Sequence, residues 1–330
     1  MKKIFALLLS AALLVTLLAA CGGGNTTDTD TDTQEPATDA STTQVEEQEP
    51  DTGDASKDDP LNQDKIGEKE LLVVSFGTSY NDSRRETIGA IEKAMQTAFP
   101  DYSVRRAFTS QIIIDHVKDR DGVTIDNVEQ ALERAVNNGV KTLVVQPTHL
   151  MNGLEYEELT DELAKYSDSF EKIAIGDPLL TSDADFEAVM TAITDATKDA
   201  ADGKTAICFM GHGTTADSNS VYSKMQTLLT DKGFNDYYVG TVEATPSLDD
   251  VLAAVQKGNY EKVILRPLMI VAGDHANNDM AGDEDDSWKS TFEKAGYTVD
   301  CQVEGLGQLE AIQQLFVEHA KAAVASAEAE

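Results

Sequence analysis

The chain has 330 residues, 59 acidic against 26 basic side chains, and a formal charge of -33. No basic run or face exists that would grip nucleic acid, so that class of partner is excluded. Three cysteines in such a length also exclude a disulfide-stapled scaffold.

Lys2 and Lys3 precede an apolar segment, residues 4–18, that ends in Leu18-Ala19-Ala20-Cys21. A short positive start, an apolar core too short to span a bilayer comfortably and small residues before a cut describe a secretory signal over 1–20. Cys21 directly after Leu-Ala-Ala resembles a bacterial lipobox, which implies cleavage before Cys21 and lipid on its thiol. The expected location is therefore exported and lipid-anchored, on the extracytoplasmic face of the cell membrane. Residues 21–68 are rich in Thr, Asp, Glu, Gln and Pro and lack aromatics. Such a composition buries too little apolar surface to offset its ordering entropy and predicts a flexible acidic tether.

The folded part is expected from 69 onward. An apolar run at 71–76 predicts a strand, followed by the polar loop 77–81. Ser83 with Glu86 reads as a capping box opening a helix to Phe99, with Ile88, Ile91 and Met95 on its inner face and Pro100 as its stop. A strand at 102–108 follows, then a helix from Thr124 or Asp126 with Gly139 as its cap, and a strand at 140–145. Helix 155–166, strand 172–175 and helix 185–200 complete a first lobe, 69–200. The second half repeats the plan: strands 205–210, 237–243, 262–268 and 297–303 alternate with helices near 218–231, 247–257, 285–295 and 308–325. The fold class is thus α/β, two similar lobes (69–200 and 201–330), each a four-stranded parallel sheet flanked by helices, with a cleft between them. Cys208 and Cys301 fall in strands as small buried hydrophobes. Export leaves a disulfide between them chemically open if they come within bridging distance.

Ligands of open α/β sheets lie at the carboxyl ends of strands. Five histidines occur in the chain, and His149, His212 and His275 each follow an apolar run. Asp177 and Glu243 stand at two more strand ends. Imidazoles with a carboxylate suit Co2+, Ni2+, Fe2+ or Zn2+, so His149, His212, His275 and Asp177 are candidate metal ligands. Each lone histidine is otherwise a hydrogen-bonded loop residue; three at equivalent edges of two lobes favour a site. His116 and His319 lie in helices and read as structural. Gly211-His212-Gly213-Thr214 lacks the spacing and lysine of a P-loop, and no dinucleotide fingerprint occurs, so no nucleotide is expected. Arg84, Arg85, Arg105 and Arg106 cluster early. Such arginines usually pair with acids; reaching the cleft, they would hold substrate carboxylates.

The runs Leu72-Val73-Val74-Ser75-Phe76-Gly77-Thr78-Ser79, Arg106-Ala107-Phe108-Thr109-Ser110, His149-Leu150-Met151-Asn152-Gly153, Phe209-Met210-Gly211-His212-Gly213 and Pro267-Leu268-Met269-Ile270-Val271-Ala272-Gly273-Asp274-His275 resemble the anaerobic-pathway sirohydrochlorin cobaltochelatases, class II chelatases with a ferrochelatase-like fold. The resemblance implies insertion of Co2+ into a tetrapyrrole without ATP, as part of cobalamin metabolism. His149 and His212 match the family's catalytic, metal-binding histidines. Glu243 and His275 match recurrent cleft positions, and Glu243 is expected as a second catalytic base. Asp177 is included for its strand-end position alone. Thr78, Ser79, Arg106 and Ser110 are the candidates for holding the substrate. Export fits a second reading, a surface lipoprotein that binds haem, another tetrapyrrole or a divalent metal and feeds an uptake transporter. The lipid anchor predicts that Cys21→Ser abolishes both lipid labelling and membrane retention; a variant still labelled and membrane-bound overturns it.

Overall fold

Each apolar run forms a strand in the structure, a computed structural model that describes residues 51–329. The signal segment, Cys21 and the tether as far as 50 lie outside the described residues. Strands β1 (Lys69–Ser75), β2 (Ser103–Phe108), β3 (Thr142–Pro147) and β4 (Lys172–Ile175) form one sheet in the order β2-β1-β3-β4. Strands β5 (Thr205–Gly211), β6 (Tyr237–Thr241), β7 (Lys262–Pro267) and β8 (Thr298–Cys301) form a second, β6-β5-β7-β8. Every pairing is parallel. Adding four to each strand of the first order gives the second, the internal repeat read from the sequence.

Helices α1 (Asn81–Glu86), α2 (Ile88–Ala98), α3 (Gln111–Asp121), α4 (Val128–Asn138), α5 (Leu154–Ala164) and α6 (Asp183–Thr197) connect and cover the first sheet. Helices α7 (Ser220–Asp231), α8 (Leu248–Val255), α9 (Trp288–Lys294) and α10 (Glu310–Ala329) belong to the second half of the chain. Alternate strand residues face opposite ways, so each sheet buries two faces. Leu71, Val73 and Val144 from the first sheet and Ile207, Phe209 and Ile264 from the second share one core with residues of α2, α6, α7 and α10. The outer faces have their own cores, with Leu72, Val74 and Val145 under α4 and α5, and Met210, Val263 and Leu265 against Trp288 and Phe292. The lobes are therefore fused through a common core below their loops. No helix among the described residues is long and apolar enough to cross a membrane.

Five expectations need correction. The helix expected from Ser83 to Phe99 begins at Asn81 and breaks at Thr87, whose hydroxyl bonds back to the Ser83 carbonyl. Ser83 caps nothing: its Oγ accepts from the backbone N of Ala272 in the second lobe at 3.0 Å. Helix α3 was foreseen only as the helical segment holding His116 and was given no bounds, because its apolar residues Ile112 and Ile113 do not all turn inward and Ile112 stays exposed. Helix α4 starts only at Val128, where Asn127 and Gln130 form the capping box. The tether ends before 68: Asp58 and Leu61 are buried, so 51–68 runs along the first lobe.

The remaining correction concerns the second lobe's limits and its cysteines. Helix α10 packs on the first lobe, where Lys172 Nζ donates to the Ala327 carbonyl at 2.8 Å and His319 lies between the Asp177 carbonyl and the Asp185 carboxylate, 3.1 and 3.0 Å away. Cys208 and Cys301 are free, registered on either side of Leu265. Two strand spacings put them about 9.6 Å apart, beyond what a disulfide spans. Phe316 is fully buried in the shared core from α10. Phe316→Ala is expected to cost about 3–5 kcal/mol in urea unfolding, with both lobes melting together because the core is common to them.

Candidate metal centre

The carboxyl ends of β5, β6 and β7 are neighbours, and the loop after each carries one donor, directly after β5, close after β6 and further along after β7. His212, Glu243 and His275 come together there, with one ligand atom from each lying within 4.8 Å of the others. The two imidazole centroids are 4.7 Å apart and the rings stand at 81°. His212 Nδ1 lies 2.8 Å from the Gly213 carbonyl, which can only accept, so Nδ1 carries the proton and Nε2 keeps its lone pair. His275 Nδ1 meets Asp279 Oδ2 at 2.7 Å, fixing that ring in the same tautomer by the carboxylate–histidine device common behind metal ligands. Glu243 is held through its backbone, whose N donates to the His212 carbonyl at 2.9 Å.

The turn carrying His212 depends on two glycines. A Cβ on Gly211 would collide with the Tyr222 ring, and Gly213 has φ +89°, where a side chain is strained. Tyr222 fills that space, and its hydroxyl accepts from Gly213 N at 3.3 Å. His275 opens a π-helical turn, Ala276–Met280, a form that recurs at functional sites. The turn brings Asp279 beneath it.

His149 and Asp177 are not part of this group. Of the four expected ligands, His212 and His275 come together, on the second sheet and with Glu243 beside them, while His149 and Asp177 stand outside that cluster. Asp177 follows β4, the outer strand of the first sheet, and its carbonyl is held by Gln146 Nε2 at 2.9 Å, while its side chain faces solvent. His149 is different in kind. Both its ring nitrogens are shut from solvent with no hydrogen-bond partner. Burial pushes the imidazole down to about 4, against an opposing pull from Glu155. It is held neutral with both nitrogens idle.

The loops of the two lobes meet reciprocally around these residues. Gly273, after β7, lies so close to Thr78, after β1, that a Cβ would stand 3.1 Å from its Oγ1. Gly153, after β3, likewise faces Ser218, after β5, at 3.4 Å from Oγ. Since β1 and β5 are the equivalent central strands, and β3 and β7 the next, the two contacts are mirror halves of one arrangement. The expected open gap is thus bridged at two points.

The four substrate candidates are placed unevenly. Thr78 is buried, its hydroxyl accepting from Tyr80 N at 3.2 Å. Ser79 is half-buried, and its carbonyl accepts from Arg120 at 2.6 Å. Ser110 precedes α3 without a side-chain cap bond, leaving its hydroxyl uncommitted. Arg106 is not at the site: mid-strand in β2 opposite Val73, it is fully buried and paired with Asp58 and Glu92. Arg84, Arg85 and Arg105 are likewise taken by acids or carbonyls. Sequence reasoning also missed three residues. Phe76, Ile112 and Leu154 are 50%, 83% and 54% exposed, and all three belong to segments leaving the carboxyl edge of the first sheet.

Residues 69–325 match the family described as cobalt chelatase (CbiK). The sirohydrochlorin cobaltochelatase of Salmonella typhimurium is 38% identical over 251 residues, covering 76% of this chain and 94% of that one. Sirohydrochlorin cobaltochelatase CbiKC of Nitratidesulfovibrio vulgaris is 30% identical over 260 residues, 78% of this chain and 91% of that one. Among solved structures, SirB from Bacillus subtilis with Fe3+ shares the fold at a TM-score of 0.57 and 14% identity, covering 80% of this chain and 98% of that one.

The neutral His149 has a thermodynamic signature. Its pKa of about 4 lies below the usual 6.5, so the unfolded chain takes up the proton first as pH falls. The stability is intact above about pH 6.5, is lost as pH falls toward 4 and changes no further below it. Wild type is expected to lose about 2–3 kcal/mol more than His149→Gln between pH 7 and 4.5 in urea unfolding. Equal losses would mean that the ring is not held neutral.

Proposed function

The chain belongs to the cobalt chelatase (CbiK) family, and from that premise we propose that it inserts Co2+ into sirohydrochlorin without ATP. The observation that carries the reading is the convergence of His212, Glu243 and His275 within 4.8 Å, two imidazoles with free Nε2 lone pairs beside one carboxylate. Co2+ is substrate here, and Fe2+, Ni2+ and Zn2+ suit the same donors.

The reaction must strip water from the ion, take two protons from pyrrole nitrogens and bring a nitrogen lone pair to the metal. His212, Glu243 and His275 replace water while leaving the remaining coordination positions for the ring nitrogens. Phe76, Ile112 and Leu154 offer apolar surface to the flat macrocycle, and a substrate carboxylate can take the Ser110 hydroxyl at the start of α3, where the helix dipole favours an anion, or the Ser79 hydroxyl in the loop after β1. His149 accepts a pyrrole proton. An imidazole with so low a pKa hands it on rather than keeping it, and Glu155 is the acid that acts on it. Glu243, released as the ring nitrogens take over the metal, is the second base.

The sequence pattern of residues 1–21 supports export and lipid anchoring through Cys21, which puts the reaction on the outer face of the cell membrane. Export also favours the second reading, a binding lipoprotein that passes a tetrapyrrole or metal to an uptake transporter. Turnover separates the two. With sirohydrochlorin and Co2+ in excess over purified protein, a chelatase converts many equivalents by absorbance, whereas a carrier stops at one per chain. His149→Ala is expected to lose insertion yet keep Co2+ affinity, while His212→Ala loses both. Asp279→Asn should weaken Co2+ binding by about 10–100-fold, measured by calorimetry. Wild-type insertion by either histidine variant refutes the assignment.

A further inference from the structure

The segment 51–68 precedes the portion that matches the family, 69–325, yet it supplies a buried acid. Asp58 is 4% exposed at its side chain and accepts from Arg84 Nε at 2.6 Å and from both terminal nitrogens of Arg106 at 2.7 and 3.0 Å. Arg106 has a second acid, Glu92. Among the described residues, the salt-bridge partner of the fully buried Arg84 is Asp58. Two guanidiniums and two carboxylates thus balance, and removing Asp58 leaves a buried cation uncompensated.

Arg84 also reaches the loop after β1. Its Nη1 donates to the Thr78 carbonyl at 3.1 Å and its Nη2 to Asn81 Oδ1. The segment grips the same loop directly: Asp82 N donates to the Thr52 carbonyl at 2.9 Å, and Asn81 Nδ2 to the Gly53 carbonyl at 3.2 Å. Gly53 has φ +93°, and a Cβ there would collide with the Asp82 carboxylate, so the fit admits only glycine. The loop so held carries Thr78, which lies against Gly273, and Ser83, which accepts from Ala272 N, both just before His275.

We propose that residues 51–61 form a strap whose Asp58 is a positioning residue, setting the 76–83 loop for the tetrapyrrole through Arg84. The inference rests on the chelatase reading for its substrate. The two imidazole rings of the metal group are each oriented from within the second lobe, by the Gly213 carbonyl and by Asp279.

Asp58→Asn in the full chain keeps the shape and one acceptor but removes the charge. Its expected effects are a KM for sirohydrochlorin raised about tenfold and an unchanged Kd for Co2+ measured without tetrapyrrole. Amide exchange over 76–83 should quicken about tenfold, with no substrate present. Should Asp58→Asn fail to fold, Arg84→Lys keeps the charge balance while giving up the fork to Thr78 and Asn81, and the same pattern is expected. A lowered Tm with wild-type KM and exchange, equal weakening of Co2+ and tetrapyrrole, or failure of both variants to fold would make the strap a purely stabilising element and overturn the proposal. Wild-type protein that binds no sirohydrochlorin, but whose loop still loosens in the variant, would sink the chelatase reading and leave the strap's hold on the loop standing.

Discussion

The whole arrangement depends on one directional constraint: both sheets are entirely parallel. A parallel strand must be followed by a crossover that returns the chain to the starting edge, so every strand of a sheet delivers its following loop to the same side. Polar residues that the strands could not tolerate inside collect there. With the lobes fused through a common core, the loops after β1 and β3 meet those after β7 and β5, and the site is built where they meet.

That constraint is also why much of the molecule was legible from its residues. Near-continuous apolar runs such as 71–74 and 143–145 specify doubly buried strands whatever their partners, and their order fixed which residues follow a carboxyl end. His212, Glu243 and His275 could therefore be named. Side-chain direction was not legible. Ser83 with Glu86 has the letters of a capping box, but the hydroxyl bonds across the lobes to Ala272. Arg106 stands three residues from Thr109, yet its strand position turns it into the sheet's buried face, where two acids hold it. The His275–Asp279 pair had an i,i+4 signal, though only in a turn not foreseen as helical. Tether composition misled as well, because Asp58 is an ordinary solvated acid by sequence and a buried counter-ion by structure. Burial pushes against its ionisation, but the guanidiniums of Arg106 and Arg84 outweigh that and hold its carboxyl below the usual range.

Two kinds of imidazole coexist at the strand ends, and the difference is one of partners. His212 and His275 each spend Nδ1 on an acceptor and so aim Nε2 at a common point. His149 has neither nitrogen engaged, an arrangement that costs stability and persists only where the surrounding fold over-determines it. Strain of this sort belongs to function more often than to folding. An oriented donor suits a ligand, whereas an unengaged, neutral nitrogen suits a group that must receive something brought to it.

A site for a metal in transit differs from one for a resident ion. Structural zinc sites close four ligands around the ion, often with several thiolates, and the binding energy becomes folding energy. Here the clustered donors are two imidazoles and a single carboxylate, with His212 and Glu243 exposed to solvent. One formal negative charge leaves a divalent ion under-neutralised, and three ligands leave positions open. Both features favour loading over retention. The clustered donors also all come from one lobe, so on the proposed reading the ion can be captured without the macrocycle, and the first lobe contributes surfaces and one proton acceptor needed only once the ring arrives. On that reading the duplicated halves divide the work unevenly: the second lobe supplies the three donors and one base, Glu243, while the first supplies His149 and the apolar surfaces, and their loops touch between the two.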